Sequence, residues 1–157
     1  MEYFEAPAEY HPGGRPAVFL AGGITGCPDW QATAARMFGD DEVAVLNPRR
    51  SSATSPIPVA DQIAWEYRHL HRAAVVLFWF PRSVDSVQPI ALYELGMHAG
   101  RGTPIAVGVD RNYLRRRDVE IQLSLARPEL TIHHTLSDSV GAARALLVQG
   151  DAGGAAG

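Results

Sequence analysis

The sequence predicts an α/β domain with a mainly parallel, five-stranded sheet that is doubly wound, with helices on both faces. Short apolar segments rich in β-branched residues alternate with segments whose apolar residues recur at helical spacing. The central apolar segments are continuous, which is typical of parallel strands covered on both faces. A length of 157 residues, 46% of them hydrophobic, suits one domain with one core. These observations together favour a Rossmann-like or flavodoxin-like sheet.

The elements follow one another in a regular order. Strands are predicted at residues 17–21, 43–47, 75–80, 104–109 and 131–134. The segments between and after them have helical spacing, at residues 29–38, 59–72, 89–100, 115–126 and 138–148. No internal repeat or inner boundary interrupts this order, so we expect a single domain over residues 15–149. The Pro-rich residues 1–14 and the Gly/Ala-rich residues 150–157 are expected to be flexible.

The composition excludes several classes of function. The formal net charge of -3 provides no bulk attraction to a nucleic acid polymer or an anionic membrane. All 14 basic residues are Arg, which excludes a Lys Schiff base and the Lys of a P-loop. Cys27 is the single cysteine, so neither an intramolecular disulfide nor a Cys-rich zinc site can form. No apolar run is long enough to span a membrane and no apolar signal region opens the chain, so we expect a cytoplasmic protein.

The Gly-rich segment AGGITG, residues 21–26, joins the first predicted strand to the first helix. Ligands of open α/β sheets bind at the carboxyl ends of the strands, and glycines there let the backbone approach a ligand closely. The segment matches neither a dinucleotide-binding fingerprint nor a P-loop. It is either part of a binding site or a tight turn that Asp29 caps.

Two carboxylates stand near the same predicted edge. Glu94 lies early in an apolar helix, where it could interact with the helix dipole and pair with His98 one turn later, or stay ionised and point at a ligand. Glu66 lies on the preceding predicted helix, facing either solvent or the cleft. His69 and His71 do not share a helix face and lack metal-ligand spacing, so we predict no metal site.

Four segments together resemble the nucleoside 2-deoxyribosyltransferase superfamily. They are VFLAGGITG…W, VLNPRR, QIAWEYRHLHRAAVVLFWFP and PIALYELGMHAG. The closer likeness is to its divergent nucleoside 2-deoxyribosyltransferase-like branch, which is related to the deoxynucleoside monophosphate N-glycosidases. The resemblance runs from about Val18 to Val109. It implies cleavage or transfer of an N-glycosidic bond without a cofactor, with a nucleoside or nucleotide as the small-molecule partner and association into homodimers or larger homo-oligomers.

The resemblance also implies roles for single residues. Glu94 matches the family's nucleophile, and Glu66 matches the acidic residue that handles the base and its proton. The Gly-rich turn would hold the 5′ side of the sugar, Trp79 and Pro81 would contact the base, and Asn112 and Tyr113 would lie on a loop donated by a neighbouring subunit. The full set expected to contact substrate is Gly22, Gly23, Ile24, Thr25, Gly26, Trp30, Trp79, Pro81, Gln88, Tyr93, Asn112 and Tyr113.

The chain departs from the family pattern at two positions. Relatives place Asp or Ser six residues before the nucleophile, where this chain has Gln88, and phosphate-binding relatives carry Arg where this chain has Thr25. Both departures leave hydrolysis and transfer open, as well as the need for a 5′ phosphate. Three alternatives also stay open: a nucleotide-sensing module without turnover, a NAD-cleaving glycohydrolase, and a non-enzymatic relative.

Overall fold

The computed structural model describes residues 1–51 and 55–154, with side chains described as far as residue 150. It confirms the α/β class. The strands of the described residues are β1 (Glu2–Glu5), β2 (Ala17–Gly22), β3 (Ala44–Asn47), β4 (Val75–Phe80), β5 (Ile105–Val109) and β6 (Ile132–His133). The helices are α1 (Trp30–Phe38), α2 (Val59–Arg72), α3 (Pro89–Arg101), α4 (Arg116–Ala126) and α5 (Leu136–Gly154).

All neighbouring strands pair in parallel, in the order β1-β3-β2-β4-β5-β6. Without β1, this is the flavodoxin-like order, in which the chain reverses its direction of winding between β2 and β4. The carboxyl ends of β2 and β4 therefore flank the switch point, where a crevice opens in this class of sheet.

The two faces of the sheet bury separate apolar clusters. Helices α2, α3 and α4 cover one face, with Trp65 and Leu95 in its cluster, and helices α1 and α5 cover the other. Side chains alternate along each strand, so in β4 the rings of Phe78 and Phe80 face the first cluster while Trp79 faces the second. Because of this alternation, only every second side chain of a strand can line a space between the sheet and helices α2 and α3.

The N-terminal segment contributes to the fold, although the sequence analysis placed residues 1–14 outside the domain. Residues Glu2–Glu5 form β1 at the edge of the sheet and pair with β3, which makes six strands instead of five. The segment EYFE is short and half-exposed, so it lacks the buried apolar run that revealed the other strands. At the other end, α5 continues to Gly154, and residues 155–157 lie outside the described residues.

Residues 8–10 hold one side of α2. The indole Nε1 of Trp65 donates to the Ala8 carbonyl at 2.7 Å, and the Tyr10 amide donates to Nε2 of His69 at 3.0 Å. Glu9 forms ion pairs with two arginines of the same helix, Arg68 at 2.7 Å and Arg72 at 2.9 Å. The helix is thus fixed by hydrogen bonds and charges from the first ten residues as well as by its packing on the sheet.

Candidate active site

A cleft of about 220 Å³ opens at the carboxyl ends of β2 and β4, between α2 and α3. It lies at the switch point of the sheet, where ligands of this fold class bind. Seven of the residues predicted from the sequence line this cleft. They are Gly22, Gly23, Ile24, Thr25, Glu66, Gln88 and Glu94.

The first two glycines of the turn after β2 are required by close contacts. Gly22 has a φ of +148°, and a Cβ there would lie 2.0 Å from the carbonyl oxygen of Trp79. A Cβ on Gly23 would lie 2.4 Å from Cδ of Gln88. Any larger residue at either position would push the turn away from β4 or displace the Gln88 amide.

The side chains of Trp30 and Arg49 hold the backbone of this turn through hydrogen bonds. The indole Nε1 of Trp30 donates to the Gly23 carbonyl at 2.8 Å. The guanidinium of Arg49 donates to the carbonyls of Cys27 at 3.2 Å and Pro28 at 2.9 Å. Trp30 and Arg49 therefore stabilise the turn through its carbonyl groups.

Arg50 is also held by backbone carbonyls. Its guanidinium donates to the carbonyl of Ala6 at 3.1 Å and to that of Ser55. Together with the bonds that Arg49 makes, these contacts engage part of the donors of both guanidinium groups with backbone carbonyls.

Glu94 is the sixth residue of α3 and is half-buried at the cleft. Within the described residues its carboxylate forms no hydrogen bond or ion pair. Burial, and then the charge of Glu66, raise the pKa of Glu94 from 4.5 to about 7. One interpretation of the sequence had this carboxylate stay ionised near the start of the helix; with a pKa of about 7 it is only partly ionised near neutral pH, because the helix begins at Pro89 and the dipole acts mainly on the first turn.

The alternative pairing of Glu94 with His98 does not form among the described residues. Nδ1 of His98 instead lies 2.9 Å from Oγ1 of Thr103. Burial, with the charges of His71 and Arg101, lowers the pKa of His98 to about 4. A neutral histidine turned toward Thr103 cannot neutralise Glu94, so the carboxylate faces the cleft uncompensated.

Glu66 lines the same cleft from α2. Nε2 of Gln62, one helical turn earlier, donates to Oε1 of Glu66 at 2.6 Å. Burial raises the pKa of Glu66, and the hydrogen bond from Gln62 opposes this change. Glu66 and Glu94 are close enough for their charges to interact, so a proton on one favours ionisation of the other.

Gln88 immediately precedes α3 in a strained conformation. Its φ is 57°, and among the described residues it alone combines positive φ with a side chain. Its Nε2 donates to the Pro81 carbonyl at 2.8 Å, whereas its buried Oε1 has no partner in the described part of the chain. The Gln88 amide donates to Oγ of Ser86 at 2.9 Å and its carbonyl accepts from the Leu92 amide at 3.1 Å, and these bonds hold a conformation that costs about 1–3 kcal/mol.

Trp79, Trp30 and Pro81 do not line the cleft. The cleft lies on the face of the sheet where Phe78 and Phe80 point, and the Trp79 side chain points to the opposite face. Trp30 belongs to that opposite cluster too and supports the turn only through its hydrogen bond. Pro81 contributes its carbonyl to Gln88.

The other four expected contacts also lie outside the cleft lining. Gly26 packs against Asp85, since a Cβ there would lie 2.4 Å from Oδ2 of Asp85. Tyr93 is 70% exposed on the outer side of α3, and Asn112 is exposed. Tyr113 is buried, and its hydroxyl donates to the Val87 carbonyl at 2.7 Å. In this conformation its side chain is therefore not free to complete a neighbour's site.

Three further residues lie at or beside the cleft and were not predicted from the sequence: Gln62, Pro48 and Ser86. Gln62 stands four residues before Glu66, and this spacing puts both on one face of a helix. That spacing was a usable signal for Gln62. Pro48 and Ser86 line the cleft from connecting segments and carry no comparable signal.

Residues 15–113 match the family model described as nucleoside 2-deoxyribosyltransferase like. The match covers β2 to β5 and so includes every residue that lines the cleft. The chain belongs to this family. A comparison with curated proteins gives no significant match. Membership supports glycosyl transfer of the nucleoside deoxyribosyltransferase kind as the general chemistry.

Within the described residues, no group of three or more His, Cys, Asp or Glu side chains is arranged to hold a metal ion. No helix of that part of the chain is both long and apolar enough to cross a membrane.

Proposed function

We propose that this protein cleaves or transfers the N-glycosidic bond of a nucleoside or deoxynucleoside through a covalent glycosyl ester on Glu94. One observation carries the proposal: Glu94 is a half-buried carboxylate with no hydrogen-bond or ion-pair partner among the described residues, and it lies beside a second carboxylate with different surroundings. A pair of this kind can divide the roles of nucleophile and proton donor. Family membership supports the same chemistry.

The first step would form a bond between a Glu94 carboxylate oxygen and C1′ of the sugar. The bond from C1′ to the base nitrogen breaks, its electron pair goes to the base, and Glu66 gives the base its proton. Water, or the nitrogen of a second base, then attacks C1′ and releases the Glu94 carboxylate. Glu66 takes the proton that the attacking group loses, and the two displacements together retain the configuration at C1′.

The reactive form carries one proton, located on Glu66, while Glu94 is ionised. Because the pKa of Glu94 is about 7, the free protein populates both protonation states of this residue near neutral pH. A base nitrogen that accepts a hydrogen bond from Glu66 would stabilise the reactive arrangement, since a proton on Glu66 favours ionisation of Glu94.

We propose an unphosphorylated nucleoside as the substrate. The two acidic side chains of the cleft would repel a phosphate, and the guanidinium groups of Arg49 and Arg50 already donate to backbone carbonyls. Thr25 stands where phosphate-binding relatives carry Arg. Phosphate binding normally needs compensating cations or several free backbone N–H groups.

We also propose that the protein forms a homodimer or a larger homo-oligomer. Val59, Ile63 and Tyr67 follow one another at four-residue spacing on α2 and are 59–75% exposed. A row of large exposed apolar side chains is typical of a contact surface. Sedimentation equilibrium of the parent protein and of Ile63→Glu would test this proposal. A monomeric parent at micromolar concentration would contradict it.

Base release is the decisive measurement. The protein is incubated with a panel of nucleosides, nucleotides and NAD, and the free base is followed by chromatography. Glu94→Ala should abolish release while the circular dichroism spectrum stays unchanged, and a 2-fluoro sugar analogue should label Glu94 in the parent protein. Release by Glu94→Ala would refute the nucleophile assignment, release from NAD alone would indicate a glycohydrolase of NAD, and binding without release would indicate a sensing module.

A further inference from the structure

Gln62 connects the end of β3 to the carboxylate of Glu66. Its Nε2 carries two hydrogens and makes two bonds, to the Pro48 carbonyl at 3.0 Å and to Oε1 of Glu66 at 2.6 Å. Gln62 and Glu66 lie one turn apart on α2, whereas Pro48 directly follows β3. The Gln62 amide therefore bridges two elements beside the cleft that Glu66 lines.

The Pro48 carbonyl fixes the direction in which this amide faces. A carbonyl oxygen only accepts hydrogen bonds, so a reversed Gln62 amide would place its own oxygen against that of Pro48. The observed orientation keeps both donated bonds, although Oε1 of Gln62 is buried and has no partner within the described residues. Because the Pro48 carbonyl does not titrate, Nε2 of Gln62 faces Glu66 whether or not Glu66 carries a proton.

The segment that carries Pro48 is itself held in place. The Arg49 amide donates to Oδ1 of Asn47 at 2.9 Å, and the Arg49 guanidinium donates to two carbonyls of the turn after β2. Hydrogen bonds and a short stretch of backbone thus connect the Gly-rich turn, through Arg49 and Gln62, to the carboxylate of Glu66.

In the described part of the chain Glu66 forms no ion pair, although charged side chains lie near it. Glu94 lines the same cleft, and Arg49 and Arg50 line a hollow of about 410 Å³ that Glu66 also borders. Among the described residues, the bond from Gln62 is the one hydrogen bond that the Glu66 carboxylate makes. This bond occupies Oε1, so Oε2 is the oxygen left to carry a proton.

We propose that Gln62 is the positioning residue of the proton donor: it directs the proton of Glu66 to Oε2 and stabilises the carboxylate that remains when the base has taken that proton. This assignment rests on the proposed function and deepens its first step. The proton moves from Oε2 of Glu66 to the base nitrogen, and Gln62 keeps both of its hydrogens. Its bond to Oε1 becomes charge-assisted only when the proton leaves, so the bond favours proton donation.

Gln62→Met, which has a side chain of similar length but no N–H donor, tests the assignment in the full chain. The kcat/KM is measured as a function of pH for a natural nucleoside and for one with an activated leaving group. The natural nucleoside should be slowed by about tenfold or more, as expected for the loss of a hydrogen bond to a charged group, and the activated one by less than about threefold.

The pH profile provides a readout that a purely structural role would not move. In Gln62→Met the alkaline fall of kcat/KM should shift to higher pH, because the bond that lowers the pKa of Glu66 is lost. The charges of Glu94, Arg49 and Arg50 are the same in both proteins and cancel in the comparison. Gln62→Lys, which adds a positive charge beside Glu66, should shift the fall to lower pH.

Carbon-13 NMR of protein labelled at the glutamate carboxyl groups gives a second measurement, which needs no turnover. The Glu66 signal, assigned by its loss in Glu66→Gln, should titrate at higher pH in Gln62→Met than in the parent protein. Gln122→Met, a change of an exposed glutamine on α4, is the matched control and should alter neither the titration nor the rates.

Equal slowing of both nucleosides, an unmoved pH profile or an unchanged Glu66 titration in Gln62→Met would overturn the role of Gln62 alone. If the parent protein released no base from any nucleoside, the proposed function would fall and the role of Gln62 with it. The two failures are therefore distinguishable.

Discussion

Replacing Glu94 by Gln should stabilise the protein, and the gain should grow with pH. The folded protein binds the Glu94 proton more tightly than the unfolded chain does, because burial raises its pKa from 4.5 to about 7. The unfolded chain therefore loses this proton at lower pH, and the free energy of unfolding falls as pH rises from about 4.5 to about 7. Glutamine has the same shape but cannot ionise, so it removes this loss.

The size of the effect follows from the shift in pKa. At about 1.4 kcal/mol per pKa unit, full ionisation of Glu94 costs about 3 kcal/mol. Part of this cost is already present at pH 5, so we expect Glu94→Gln to stabilise by about 2 kcal/mol more at pH 8 than at pH 5. For a domain of this size that difference corresponds to a change in Tm of about 4–8 °C.

Urea unfolding at pH 5, 6, 7 and 8, followed by tryptophan fluorescence, measures this difference directly. Any effect of Gln on packing or hydrogen bonding is common to all four pH values and cancels in the comparison. Asp40→Asn, an exposed carboxylate, is the control and should show no such trend. A stability gain for Glu94→Gln that is the same at pH 5 and pH 8 would refute the reasoning about its burial.

Three further predictions concern the site and the turn beside it. The kcat/KM for natural nucleosides should fall above about pH 7, because the pair of carboxylates then loses its last proton. Glu66→Gln should slow these substrates far more than a nucleoside with an activated leaving group. Equal slowing of both substrates would assign Glu66 a structural role. Gly22→Ala should destabilise by roughly 3 kcal/mol or more, because its Cβ would overlap the Trp79 carbonyl, whereas Gly141→Ala on α5 has open space and should stabilise slightly in the same unfolding assay. A nucleoside should be turned over at least as efficiently as its 5′-monophosphate, and a preference above about tenfold for the monophosphate, about 1.4 kcal/mol, would contradict the proposed unphosphorylated substrate.

The sheet could be predicted because its strands are buried on both faces. Runs such as VVLFWF at Val75–Phe80 predict a central parallel strand, and the helical segments between the runs predict parallel connections, whereas the strand order and the switch point come from the structure. β1 could not be predicted in the same way. Its strand depends on pairing with β3 at one edge, and edge pairing leaves no periodic signal in four half-exposed residues.

The sequence predicted those residues of the candidate site whose place in the cleft follows from the order of strands and helices. Gly22 and Gly23 stand at the carboxyl end of β2, which the pattern of strands predicts, whereas Glu94 was predicted from its place early in the next helix and from the family resemblance. The electrostatic state of Glu94 was not predictable, because it depends on burial and on the distance to Glu66 on another helix. Trp79 was misplaced because a continuous apolar strand hides which residues face which side.

The contacts between residues 8–10 and α2 have a practical consequence for experiments. The helix that carries Glu66 is held at Trp65 and His69 by Ala8 and Tyr10, which lie far from the cleft in sequence. A truncation of the first ten residues would remove β1 together with these two hydrogen bonds, so the helix that carries Glu66 would no longer be held on that side. Such a shortened protein would lose natural substrates first and keep those with activated leaving groups, the same pattern as a variant of Glu66 itself. Affinity tags therefore belong at the carboxyl end.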